Sequence, residues 1–359
     1  MTHLKNLLLI LLICVFAVAD SFAGGQNKAG TNAAPELQIP VGSRYLGMAG
    51  SNISSSEGLE SIYWNPAGVS ISKTSANAIF NYRTYIADMK MDFAAVSGDF
   101  GGLGTLALAF RSLNIGEIPV TTVTQPDGTG ELFSPTYFIL GLTYSRALTD
   151  RVSVGATINI INESFANVSS NGVSFDAGVQ YRDLMDIQGL AIGVVVKNLG
   201  GSMTYDGSAL WVQANTQPNA PSGVGRGITF YKVAAASFQL PSEISLGVSY
   251  TKKFDEDNTL SGAFAFTNNN YSYDEYKLGF EYSFKDMFYA RLGFLKSPEA
   301  KPYSDPNIFA GGPNTIPTPY WGFGLNFKNF TDIDISLDFA HVPVQYFDAN
   351  NSVSVRFGF

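Results

Sequence analysis

The chain has a single cysteine, Cys14, and only two histidines, His3 and His341. With so few ligating side chains, a multi-histidine metal site and a Cys/His cluster are excluded, and no cofactor is expected. Charge is scarce too: 14% of the residues are charged, against about 25% in a typical soluble domain. What charge there is leans acidic, a net −8 with a pI near 4.8. That argues against nucleic acid as a partner, because a phosphate backbone calls for a basic surface. Beyond residue 23, no apolar run approaches the roughly 18 residues that a membrane-crossing helix needs. Hydrophobic residues still make up 45% of the chain, yet mean hydropathy is only +0.07, so uncharged polar residues dilute them. Many glycines and aromatics with little charge suit a β-barrel with one lipid face and one polar face.

Residues 1–23 read as a secretory signal peptide. Lys5 supplies the positive start, Leu7 to Val18 the apolar stretch, and Ser21-Phe22-Ala23 the small residues before a cut after Ala23. Ile13 precedes Cys14 where a lipoprotein signal has a small residue, so the cysteine is expected to leave with the leader.

The mature chain alternates. Val152, Val154, Ala156, Ile158 and Ile160 face Ser153, Gly155, Thr157 and Asn159. Val173 to Arg182 and Tyr276 to Phe284 repeat the pattern. A period of two means a strand with two chemically different faces. Strands are predicted near 77–87, 90–100, 103–113, 135–147, 151–163, 171–182, 189–198, 242–253, 258–268, 272–285, 287–297, 319–328, 331–341 and 351–359. Fourteen is an even number, as expected of an all-β transmembrane antiparallel barrel. Apart from the first outside loop near Asp88, which is short, the connections agree. Gly101-Gly102, Thr149-Asp150 and Phe284-Lys285-Asp286 fall at inside turns. The long segments Asn114–Ser134, Gly200–Pro241 and Ser297–Thr318 fall at outside loops. A soluble sandwich also alternates, but large lipid-compatible residues such as Trp321, Phe323, Leu325 and Phe327 run the full strand length. The last strand, Ser352 to Phe359, is similar to the terminal signal by which outer-membrane barrels are recognised by the assembly machinery. In hydrocarbon, no water satisfies a strand edge, so this strand must pair with the first.

On this register Arg83, Arg111, Asp176, Arg182, Lys197, Lys277, Glu281, Arg291, Lys328, Asp334, Asp338 and Arg356 face the lumen. They form either a polar conduit or a ladder of ion pairs bracing a filled interior. Residues 35–75 lack strand alternation and need a place. A hatch folded into the lumen is the economical one, a periplasmic tail the alternative. The packed, turn-forming cluster Tyr63-Trp64-Asn65-Pro66-Ala67-Gly68 favours the hatch. The expected organisation is a signal peptide at 1–23, a periplasmic lead-in and lumenal hatch at 24–75, and the barrel at 76–359.

Gly42-Ser43-Arg44-Tyr45-Leu46-Gly47-Met48-Ala49-Gly50, followed by Tyr63-Trp64-Asn65-Pro66-Ala67-Gly68, resembles the PorV/PorQ-type outer-membrane proteins of the FadL-like superfamily. Ser43 and Ala49 stand where that family often has Ala and Gly. The resemblance implies a bacterial outer-membrane barrel in contact with membrane lipid that binds or passes a hydrophobic small molecule. Its candidate contacts are Met48, Tyr63, Trp64, Asn65, Pro66, Arg83 and Arg111, although aromatics often simply fill space. It also implies the alternative of a type IX secretion component that holds secreted cargo proteins. Tyr205, Trp211 and Tyr231 in the long outside loops are then the candidate anchors, since aromatics dominate interface energies. A water-filled porin fits a hatch poorly. An enzyme is not expected, because His341 lacks any Ser-His-acid pattern around it.

Overall fold

The computed structural model describes residues 30–72, 74–214, 229–297, 319–328, 333–344 and 347–359. The signal peptide with Cys14, and the loop at 298–318, lie outside the described residues.

Fourteen antiparallel strands close into a barrel: β1 Ala76–Thr84, β2 Lys90–Asp99, β3 Thr105–Asn114, β4 Thr136–Ala147, β5 Val152–Phe165, β6 Val168–Arg182, β7 Leu190–Gly200, β8 Glu243–Lys253, β9 Asn258–Asn269, β10 Glu275–Phe284, β11 Phe288–Lys296, β12 Tyr320–Asn326, β13 Asp334–Val342 and β14 Asn350–Gly358. Each strand pairs with its neighbours in sequence, and β14 closes on β1 with Tyr82 opposite Val353 and Phe80 opposite Val355. Every predicted strand is present, with its ends displaced by at most about three residues, the boundary uncertainty expected of pattern reading. The largest displacements have local causes. The first strand stops at Thr84 because Ala87 and Asp88 turn through left-handed backbone. The hairpin of β5 and β6 outruns its apolar pattern, with Asn162 donating to Asn171 across the ladder at 2.8 Å.

The three long connections, 115–135, 201–242 and 297–319, lie at one end of the barrel together with the short links 85–89, 166–167 and 270–274, whereas no connection at the other end exceeds seven residues. Between them the outer face is apolar. Leu106, Leu108 and Phe110 on β3, Ile158 and Ile160 on β5, Leu278 and Phe280 on β10, and Phe323 and Leu325 on β12 are all exposed. Water does not tolerate an apolar girdle of this extent on a monomer. With strand backbone fully paired around the ring, the wall is built to span lipid.

Inside, the two sides of the wall differ. Ile79, Met91, Phe93, Ala95, Ala107 and Leu113, on β1–β3, are buried and apolar. On β2 the inward face is Met91, Phe93 and Ala95, and the outward face runs from Lys90 and Asp92 near the loop end to Ala94 and Val96. Thr143, Ser153, Thr157, Asn159, Ser174, Asp176, Gln180 and Ser249 face inward from β4–β8. The predicted inward charges are buried or half-buried, except Lys328. That residue lies beyond β12 in an exposed turn, where its N–H donates to Asn326.

The segment before β1 fills the lumen. It carries two short helices, α1 Ser43–Leu46 and α2 Ser61–Trp64. Residues 24–29 of the expected lead-in lie outside the described residues. Ala33 donates to Gln239 of a long loop at 2.9 Å, and the chain then descends to the short-turn end, where Ser75 donates to Phe359. The described lead-in thus starts at the long-loop end. Ala33, Ala34 and Leu37 hold it there by burying against Ile139, Ile161, Met203 and Leu240.

Candidate functional site

Two things seat the hatch. One is apolar: Ile39, Val41, Tyr45, Leu46, Leu59, Ile62, Trp64 and Val69 pack on the apolar side formed by β1–β3. Each fully buried side chain of this size contributes roughly 1.5–3 kcal/mol. The other is a belt of inward-facing glycines on the remaining wall. Gly155 lies opposite Gly178, Gly193 opposite Gly247, and Gly279 opposite Gly293. A Cβ on Gly155 would overlap the Pro66 carbonyl, one on Gly193 the Ile53 carbonyl, and one on Gly293 the Met48–Ala49 peptide. Backbone meets backbone there, so only glycine lets the hatch touch the wall.

Asn65 locks this contact. Fully buried, its amide donates to the Ile53 carbonyl at 2.8 Å and to the wall carbonyls of Val179 and Val194 at 3.2 and 3.4 Å. Its Oδ1 accepts from Ala67 N–H, which starts the short turn Pro66–Ser70. Asn65 and Pro66 are therefore pieces of the seal. Met48 is too: it is 1% exposed, and Asn52 donates to its sulfur.

The charges form the predicted ladder, and it extends into the hatch. Arg44 of α1 donates to Glu281 twice, at 2.9 and 3.1 Å, and to Glu57 at 2.7 Å. Arg291 bridges Glu281 at 2.6 Å and Asp338 at 2.7 Å. Glu60 is buried beside this group, and burial together with nearby Asp338 pushes its carboxyl up to about 7.

Hatch and ladder divide the lumen into two cavities with no shared lining residue. The one toward the short-turn end, about 360 Å³, is polar, lined by Ser54–Ser56, Gln180, Ser249, Thr251, Thr259, Ser261, Arg44 and Glu281. The one toward the long-loop end, about 320 Å³, is lined by Leu46, Ala49, Ile53, Tyr63, Trp64, Tyr271, Leu295, Tyr320 and Val342, with Pro35, Gln38 and Pro40 of the lead-in. Its charges are Arg83, Lys197, Glu243, Glu275 and Lys277. Lys197 pairs with Glu243 at 2.7 Å and Lys277 with Glu275 at 2.8 Å. Arg83 is 1% exposed and donates to the Pro40 carbonyl at 2.7 Å. Among the described residues, no carboxylate lies within ion-pair distance of it, and its Nε has no partner.

Of the seven candidate contacts, Tyr63, Trp64 and Arg83 line this cavity; Met48, Asn65, Pro66 and Arg111 do not. Arg111 is buried beside the Tyr63 ring, 5.6 Å from its centroid, while Lys197 stands 3.8 Å from the same centroid. Trp64 Nε1 donates to Val41 and Tyr63 OH to Gln38, so both rings are fixed. The lead-in prolines, Tyr271, Tyr320 and the Lys–Glu pairs were absent from the candidates. The inward positions of Lys197 and Lys277 were the one signal pointing to them. Of the loop candidates, Tyr205 is turned inward and donates to Glu163 at 2.6 Å. Trp211 and Tyr231, 53% and 50% exposed, stand on a hairpin in which Val212 faces Tyr231. His341 lies at the loop end of β13, stacked on Trp321 at 4.8 Å and bonded to Asn351.

Fold and site together define a plugged transmembrane β-barrel with a blind, largely apolar cavity at its long-loop end. Among solved structures it is similar to the toluene transporter TodX of Pseudomonas putida, at 11% identity over 87% of this chain and 96% of that one, with a TM-score of 0.49. It is also similar to a FadL homologue of Pseudomonas aeruginosa (12% identity, 89% and 97% covered, TM-score 0.48). A third similar structure is the monoaromatic hydrocarbon channel CymD (12% identity, 89% and 98% covered, TM-score 0.47). No protein-family model matches the chain, and no curated protein does.

Proposed function

We propose that this barrel sits in a bacterial outer membrane, long loops outward, and takes up a hydrophobic small molecule that first occupies the loop-end cavity. The cavity carries the reading. A concave, mainly apolar space with a few convergent polar groups is the usual form of a small-molecule site. Its surplus cation, Arg83, favours a ligand with an anionic or strongly accepting group on an apolar body, because such a group gives the guanidinium the partner it lacks. Passage onward requires the hatch to shift, since the glycine belt closes the lumen below. The test is mass spectrometry of small molecules retained by protein extracted gently from its own membrane, repeated with Arg83→Met. A stoichiometric apolar ligand that is lost in the variant supports the reading. An empty protein, or one that keeps secreted proteins instead, overturns it.

The exposed hairpin at 211–214 and 229–232 favours a second reading, a PorV-like component that holds secreted cargo at the membrane. Trp211, Phe230 and Tyr231 present aromatic surface there with nothing against it among the described residues. Loss of co-purifying secreted proteins in Trp211→Ala would support it.

A further inference from the structure

The lead-in that walls the loop-end cavity carries a buried acid, Glu36, in the turn Pro35–Gln38. Glu36 is 2% exposed, and neither carboxyl oxygen has a hydrogen-bond partner. It faces Glu163 of β5, whose two oxygens accept from Ala34 N–H at 3.1 Å and from Tyr205 OH at 2.6 Å. Arg111 of β3, Tyr137 of β4 and Tyr205 of the long loop are the other titratable groups around the pair. Arg111 favours the ionised acid but makes no ion pair with it among the described residues. We propose that Glu36 and Glu163 form a proton-operated latch that fastens the 33–40 strap over the cavity. One shared proton holds it closed, and ionisation of both carboxyls releases it.

Two carboxylates in contact away from water repel, whereas a neutral Glu36 can donate to Glu163. The strap is poised to leave. Ala34 is held at a φ of 49°, left-handed backbone that costs a non-glycine residue roughly 1–2 kcal/mol. Besides the burial of Ala33, Ala34 and Leu37, the polar ties that oppose release among the described residues are Ala33 to Gln239, Tyr63 to Gln38 and Arg83 to Pro40. Two of these come from residues that line the cavity, so a latch at Glu36 bears on how the cavity is covered. Burial first, and Glu163 second, push the Glu36 carboxyl up to about 8, inside a range that an outward-facing protein meets. The consequence for entry rests on the uptake reading above; the latch itself does not.

The test is a nitroxide spin label on Thr31→Cys in the purified, leader-free barrel, with label mobility followed from about pH 6 to about pH 9.5. The expected result is a mobile fraction that rises with a midpoint near 8, that stays flat in Glu36→Gln, and whose rise moves to lower pH in Glu163→Gln, which removes the second cause and leaves burial. Glu36→Gln keeps the shape of the protonated acid, and resistance of the barrel to heat in detergent verifies its folding. A flat trace in the parent, or the same rise in Glu36→Gln, overturns the latch. Ligand affinity at the two pH extremes separates the two ideas. Label motion without any change in affinity leaves the latch standing and counts against cavity entry as its purpose.

Discussion

The two cavities lie in one lumen, share one wall and have similar volumes, yet one carries most of the aromatic and aliphatic lining and the other most of the hydroxyls. The short-turn cavity is lined by serines, threonines and the Arg44–Glu281 end of the charge ladder, surroundings that water occupies readily. The loop-end cavity adds aromatics and aliphatics to two Lys–Glu pairs and to Ser245, Asn269 and Ser272, and Arg83, its one cation without an acid among the described residues, lacks part of its hydrogen bonding. The hatch makes the difference: it turns Tyr63, Trp64, Leu46 and Ile53 to one side and Ser54–Ser56 with Glu57 to the other.

The barrier between the compartments is the first thing to break. Glu281→Ala leaves Arg44 and Arg291 each short of a buried partner, and is expected to cost about 3–5 kcal/mol in denaturant unfolding. Gly155→Val drives a side chain into the Pro66 carbonyl and is expected to cost about 1–3 kcal/mol or unseat the hatch. Steady ion conductance through a planar bilayer, absent in the parent, would then report that the cavities had joined. Arg83→Met sharpens the contrast instead. It should weaken binding of an anionic apolar ligand about tenfold to a hundredfold, while Ser249→Ala, in the other compartment, should leave affinity within about twofold.

The smallest effect is a pH dependence. The buried Glu60 carboxyl has a folded value near 7 against 4.5 unfolded, so the folded state holds its proton more tightly. Stability from this group is present below pH 4.5 and is lost as pH rises through about 7. Glu60→Gln should therefore flatten the decline of unfolding free energy over that interval, and an unchanged slope would show that Glu60 is not its source.

The wall was legible in the sequence because a strand reports its two environments residue by residue. Val152 to Ile160 alternates because lipid lies on one side and the lumen on the other. The hatch was legible as a segment that the wall left over. The site was legible only in part. Asn65 and Pro66 stand out as a motif, but their role is to grip Val179 and Val194, carbonyls more than a hundred residues away. Nothing in the neighbourhood of Tyr205 says that it turns inward to Glu163 rather than out toward a partner. The Pro35–Pro40 strap carries no periodicity at all, and its place in the cavity wall comes from contacts with three different parts of the barrel.

By itself, then, the sequence determined the fourteen strands, their order and their closure. Period-two patterning and the need to satisfy every backbone group in lipid leave one economical architecture. Only the tertiary structure decided which lumenal charges find partners and which, such as Arg83 and Arg111, have no acid within ion-pair distance among the described residues. It also decided where the lead-in begins and which face of the hatch meets which half of the lumen. Those outcomes depend on side chains brought together from distant strands at distances of a few ångströms, and local patterning along the chain carries no record of such distances.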